Sequence, residues 1–208
     1  MAAQATTAFD TVLFDLGAVL VDWNPRYVYR RHFDGDDAAM EHFLATICDH
    51  GWVRSMDAGK PVAEAIAERS SEFPQHARLI ALWHSHWEQM LKGPIAGTVE
   101  ILAALRERGT RLFALTNWSA ENFPIARERF EFFGWFEDIV VSGEVGLAKP
   151  DPEIFELCIG RCRLQAARTL FIDDNADNVR AGREAGLHAL QFFDPAQLRD
   201  ELRSLQLL

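Results

Sequence analysis

Apolar positions gather in five short runs along the chain, Thr11 to Leu16, Arg111 to Thr116, Asp138 to Ser142, Thr169 to Ile172 and His188 to Phe192. Each is hydrophobic almost throughout, with none of the polar alternation of a half-exposed strand. Strands apolar on both faces belong to a parallel sheet covered by helices. The segments between them carry helical periodicity. Thr98 to Arg108 sets Val99, Ile101, Leu102 and Leu105 along one stripe and stops at Gly109; Pro152 to Arg163 repeats the pattern, and Asp177 to Glu184 ends before Gly186.

The interval Asp22 to Gly97 interrupts this alternation. It holds four helical patterns and no convincing strand, and it is too long for a crossover connection. Asn24-Pro25 reads as an N-cap followed by proline at the first helical position, and Pro74 to Leu91 carries Leu79, Ile80, Trp83, Trp87, Met90 and Leu91 at helical spacing. The predicted fold class is α/β, a doubly wound parallel sheet with a small inserted helical cap. The expected boundaries are a core of residues 1–21 and 97–208 and a cap of residues 22–96. In such sheets ligands bind outside the carboxyl ends of the strands, so the chemistry is sought there.

Charge narrows the partners. Lys+Arg 21 against Asp+Glu 31 leaves a formal net charge of -10 over 208 residues, a sign that repels a polyphosphate backbone, so no nucleic-acid partner is expected. The apolar stretch Thr11 to Val21 is interrupted by Asp15 and falls short of the ~20 residues of a membrane span, so no membrane partner is expected either. The first arginine is Arg26, so the basic region of an export signal is missing and a cytoplasmic location is expected. Cys48, Cys158 and Cys162 fit buried thiols of a reducing compartment better than a disulfide. Composition says nothing about oligomeric state.

At the strand ends the ionisable residues accumulate. Asp15 stands at the end of the first run, Thr116-Asn117 at the end of the second, Lys149 after the loop that follows the third, and Asp173-Asp174-Asn175 at the end of the fourth, with Asn178 just beyond. Each has an ordinary structural explanation as a turn former, helix cap or surface charge. Two adjacent carboxylates at the end of an apolar strand repel each other, however, and a cation relieves the repulsion. A hard, oxygen-only set of this kind suits Mg²⁺.

The order Asp, Thr-Asn, Lys, Asp-Asp at successive strand ends resembles the haloacid dehalogenase-like hydrolases, and the match covers the whole α/β core. The resemblance implies that Asp15 is a nucleophile forming an aspartyl-phosphate and also a metal ligand. It implies that Thr116 and the Asn117 backbone bind phosphoryl oxygens, that Lys149 neutralises charge in catalysis and binding, and that Asp174, with support from Asp173, completes the Mg²⁺ site. Asn178 matches a position that supports this acidic pair. Gly17 would contribute its backbone carbonyl to the metal.

Gly17 is also where the pattern departs from the family, whose phosphatases usually carry there a second Asp as general acid and base. The proton must then come from elsewhere; Asp22 is the nearest later carboxylate, though it also suits a cap of the Asn24-Pro25 helix. The Gly variant is similar to a bacterial glucose-1-phosphate phosphatase subgroup. The function expected from the resemblance is Mg²⁺-dependent hydrolysis of a small phosphorylated metabolite, a sugar phosphate or similar. Alternatives are a 2-haloacid dehalogenase, which would not need Asp173 and Asp174, and a binding or regulatory domain that lost turnover with the missing acid. Within the cap, Arg30, Arg31, His84, His86 and Trp87 are candidate substrate contacts that also suit surface or core, and His84 and His86 do not share a helical face.

Overall fold

The computed structural model describes residues 9–208; the first eight residues of the expected core segment lie outside the described residues. All five apolar runs form strands of one parallel sheet. In chain order the strands are β1 (Thr11–Phe14), β2 (Val21–Trp23), β3 (Leu91–Pro94), β4 (Arg111–Thr116), β5 (Asp138–Val141), β6 (Thr169–Asp173) and β7 (His188–Gln191). The sheet runs β5-β4-β1-β6-β7, so β1 lies at the centre with β4 and β6 parallel on either side.

Period-two alternation splits the strand side chains between two helical layers. Leu13, Phe113 and Phe171 face one way, against Ile154, Phe155 and Cys158 of the helix Pro152–Arg161. Val12, Phe14, Ala114 and Ile172 face the other, against Ile101, Leu102 and Leu105 of the helix Ala96–Glu107. Both faces are covered, which is why the runs contain almost no polar positions. Cys48, Cys158 and Cys162 are buried free thiols, as expected. No helix among the described residues is long and apolar enough to cross a membrane.

The interval after β1 differs in detail from its sequence reading. It does contain strands: β2 and β3 pair antiparallel and form a short ribbon where the helical segment leaves and rejoins the core. Between them lie the helices Arg26–Tyr29, Asp37–Thr46, His50–Asp57, Val62–Glu72 and Ala77–Ser85. The Pro74 to Leu91 pattern is not one helix but a 3₁₀ turn, the helix Ala77–Ser85 and a second 3₁₀ turn Trp87–Met90. The ribbon was missed because three or four residues joined through tertiary pairing carry no alternation long enough to read. Asp36 and Asp49 cap their helices through Ala39 N and Trp52 N, each at 2.9 Å. Asn24 does not cap as read: Asn24 Oδ1 accepts from Arg26 N at 3.0 Å, but the helix Arg26–Tyr29 begins one residue later than expected, with Pro25 in the N-cap place and no side-chain cap. The stretch Gly143 to Ala148, read as a loop, opens with a helical turn, Ser142–Val145, closed by Gly146 at φ +71°.

Tight packing behind β6 yields a stability prediction. Gly182 sits in the helix Ala176–Glu184, where alanine would ordinarily gain ~1 kcal/mol of helix propensity. Here an added Cβ would lie 2.7 Å from Phe171 Cδ1, so Gly182→Ala is expected to destabilise the fold by ~1–3 kcal/mol through overpacking. Urea denaturation checks this, and a stabilised variant would contradict the packing described.

Candidate active site

The sheet order brings the expected residues together. Asp15 follows β1, Thr116 ends β4 and Asp173 ends β6, so three neighbouring strands deliver them to one edge. Register sets the level: Phe14 pairs with Ile172 and Ala114, and Asp15 N donates to Ile172 O at 2.8 Å, which continues the ladder through the carboxylate-bearing residue.

Lys149 is not a solvated surface lysine. It is 1% exposed, and its ammonium donates to Asp173 Oδ2 at 2.6 Å and Leu115 O at 2.7 Å and lies 2.9 Å from Asp15 Oδ1. An ammonium has three protons, and these three acceptors use them all. Burial acts to lower its pKa, but Asp15 and Asp173 outweigh that and raise it, so Lys149 stays charged. Asn117 fixes the Lys149 backbone from both sides, accepting from Lys149 N at 2.8 Å and donating to Lys149 O at 2.9 Å. Its side-chain oxygen and one amide proton are thereby engaged, so the group holds the loop in place, and its second amide proton and backbone N–H are left to meet an anion.

The two members of the acidic pair differ in surroundings. Asp173 is fully buried; its carboxylate accepts from Lys149, from Asn175 N at 2.8 Å, and from Asn178 Nδ2 at 3.0 and 3.1 Å. Asn178 thus holds the Asp173 carboxylate through its amide. Asp174 is exposed on the cavity side; partial desolvation of its carboxyl, with the charge of Asp173 next to it, raises its pKa. Desolvation raises Asp15 as well, with Asp173 and Asp174 adding to it and Lys149 opposing.

Oxygens of Asp15, Asp173 and Asp174 converge within 4.8 Å of one another. Three carboxylates against the one ammonium of Lys149 leave a formal charge of -2, the charge a divalent cation offsets. The donor set therefore fits Mg²⁺. Asp173, with its oxygens already occupied, orients Lys149 and the β6 end more than it offers a free ligand position. Among the described residues Thr116 Oγ1 is buried with no hydrogen-bond partner, an orphan hydroxyl at the end of β4.

A cavity of about 400 Å³ opens over this edge. On the core side Gly17, Ala18, Asn117, Lys149, Asp174 and Asn178 line it; from the other side come Val53, Met56, Trp83 and Trp87, with Trp23 and Trp118. Of the candidates in the helical segment only Trp87 reaches the cavity. Arg31 pairs with Gln89, Arg30 with Asp37, and the His86 ring packs edge-on to His32. Asp22, the nearest carboxylate after Gly17, accepts from Tyr27 Oη at 2.9 Å and does not line the cavity. It is Asp57, a residue without a motif to mark it, that lines the cavity from the helix His50–Asp57. Nor does the backbone impose glycine at position 17: an added Cβ would meet no atom within 4 Å, and the left-handed residue of this loop is its neighbour Ala18, at φ +57°.

A family model for haloacid dehalogenase-like hydrolases matches residues 9–186. The sesquiterpene phosphatase astK of Aspergillus oryzae is 28% identical over 200 residues, 96% of this chain and 97% of that protein. The phosphoglycolate phosphatase of Mesorhizobium japonicum is 26% identical over 183 residues, 85% of this chain and 79% of that protein. The crystal structure of the family enzyme bt-2542 from Bacteroides thetaiotaomicron, in complex with magnesium and inorganic phosphate, aligns with TM-score 0.67 at 22% identity over 89% of this chain and 95% of that one.

Removing the ammonium strands two buried carboxylates. Lys149→Met is expected to lower stability by ~3–5 kcal/mol, the usual cost of leaving half of a buried ion pair. Chemical denaturation measures it, and a loss below ~1 kcal/mol would mean that the pair is more hydrated than its burial indicates.

Proposed function

The chain belongs to the haloacid dehalogenase-like hydrolases, and from that membership we infer that it is a Mg²⁺-dependent phosphatase acting on a small organic phosphate through an aspartyl-phosphate on Asp15. The observation that carries this reading is the convergence of Asp15, Asp173 and Asp174 around the saturated ammonium of Lys149.

In the first step an Asp15 oxygen attacks phosphorus and the ester P–O bond breaks, the electron pair leaving on the ester oxygen. In the second, water attacks the phosphorus, the bond to Asp15 breaks, and inorganic phosphate departs. Lys149, locked in its charged form, offsets phosphoryl charge beside the carboxylate. Thr116 Oγ1, which has no other partner, donates to a phosphoryl oxygen together with the Asn117 backbone N–H. Mg²⁺ held by Asp15, Asp174 and the Gly17 carbonyl would supply Lewis-acid stabilisation of the phosphoryl oxygens. Against a 2-haloacid dehalogenase stands Asp174, a carboxylate that metal-free halide displacement does not need. Against a binding domain without turnover stands the intact set of Asp15, Thr116 and Lys149.

The walls of the cavity speak to the substrate. Trp23, Trp83, Trp87 and Trp118, with Val53 and Met56, present an aromatic and apolar surface to the organic part of the ester. The four indoles favour a hydrocarbon or flat ring over the sugar expected from sequence, even with Arg54, Ser119 and Asn122 also lining the cavity. The name of the Aspergillus oryzae relative, a sesquiterpene phosphatase, agrees with an apolar alcohol.

A panel of phosphate monoesters, with 2-haloacids as controls, tests the reading. Phosphate release is expected with Mg²⁺, lost in chelator and regained on adding Mg²⁺, and Asp15→Asn is expected to abolish it while circular dichroism remains unchanged. Full activity in chelator, or halide release in place of phosphate release, would overturn it. Within the panel a prenyl monophosphate is expected to exceed glucose 1-phosphate in kcat/KM by ~10-fold or more, a difference of ~1.4 kcal/mol of transition-state binding. The reverse order would return the substrate to the sugar phosphates.

A further inference from the structure

An alkyl phosphate needs a proton on its leaving oxygen, and Gly17 cannot provide it. The ionisable side chains lining the cavity are His50, Arg54, Asp57, Lys149, Asp174 and Asp177. Most are committed or open to solvent: Arg54 Nη2 lies 2.6 Å from Asp151, Asp177 lies 2.9 Å from Arg180, Lys149 bridges Asp15 and Asp173, Asp174 belongs to the acidic cluster, and His50 is exposed. Asp57 is the exception. It is half-buried at the last residue of the helix His50–Asp57, outside the acidic cluster, and its carboxylate accepts no hydrogen bond among the described residues.

We propose that Asp57 is the general acid and base of the phosphatase reaction, reaching the cavity from the helical segment in place of the carboxylate missing at Gly17. The assignment rests on the phosphatase reading above. In the first step the Asp57 carboxyl gives its proton to the ester oxygen as the P–O bond breaks, so the product leaves as a neutral alcohol. In the second, the Asp57 carboxylate takes a proton from the water that attacks the phosphorus of aspartyl-phosphate. Phosphate and the Asp15 carboxylate are released, and Asp57 is protonated again for the next cycle. Burial pushes the Asp57 carboxyl up to about 7, against the opposing field of Lys149, which keeps both forms accessible near neutral pH. Gly17 and Asp57 line the same cavity, and nothing within 4 Å occupies the place where a side chain at position 17 would begin.

Leaving-group dependence separates proton donation from mere structural support. p-Nitrophenyl phosphate departs as a phenolate without a proton, whereas benzyl phosphate, of similar size and apolarity, needs one. Asp57→Asn is expected to lower kcat/KM for benzyl phosphate by ~10²–10⁴-fold and for p-nitrophenyl phosphate by less than ~10-fold. Asp57→Glu, which keeps a proton to give, is expected to retain more of the benzyl phosphate activity than Asp57→Asn does. Equal losses on the two esters, or no loss on benzyl phosphate, would overturn the acid role while leaving the phosphatase reading in place. A wild-type enzyme inert toward both esters and toward the wider panel would overturn both.

Discussion

A single buried ammonium organises the site. Lys149 sits among Asp15, Asp173 and the Leu115 carbonyl with each proton taken, and around it three strand ends and the loop after β5 meet. Without it, two carboxylates would lie in the low-dielectric end of the sheet with no compensating charge, an arrangement that costs several kcal/mol. Its position is itself held, because both polar groups of the Asn117 amide clamp the Lys149 backbone. The residues of the acidic pair divide accordingly: Asp173, saturated by Lys149, Asn175 and Asn178, is part of the framework, while Asp174 stays open to the cavity.

The opposite wall is built from hydrophobic packing. Trp87 lies against Trp118 with ring centroids 5.7 Å apart, and Trp118 contacts Phe123 and Phe133 in turn. One apolar cluster thus runs from beneath the sheet into the helical segment. The helix His50–Asp57 is tied down at Trp52, whose indole nitrogen donates to Ala65 O at 3.0 Å and whose ring packs on Trp83. Aromatic side chains with few rotatable bonds hold the roof of the cavity with little loss of side-chain entropy. The same rings shape a space that favours an apolar organic group next to a strongly charged phosphate site.

Much of this was legible in the chain. Runs apolar on both faces left a parallel sheet as the economical solution, and Asp15, Thr116, Asp173 and Asp174 each fell at a strand end, with Lys149 after the loop beyond another, because period and strand boundary are local properties of sequence. Asn178 was marked only by the resemblance to the family, since nothing in its local pattern singles it out. The β2–β3 ribbon was not legible, since its few residues acquire strand conformation only by pairing with each other across about seventy intervening positions.

What tertiary structure alone decided is which side chains face one another. Burial turned Lys149 from a plausible surface charge into the centre of the site, and packing withdrew Asp22 to Tyr27 while carrying Asp57 over the sheet edge. It also showed that position 17 has room for a side chain and that Ala18, not Gly17, takes the left-handed conformation. The sequence by itself determined the layers, the order of the strand-end residues and the charge that must be neutralised there, because these follow from periodicity and residue type. Proximity between the helical segment and the core depends on how separate elements dock, and desolvation depends on everything packed around a group, so neither is written in any local pattern.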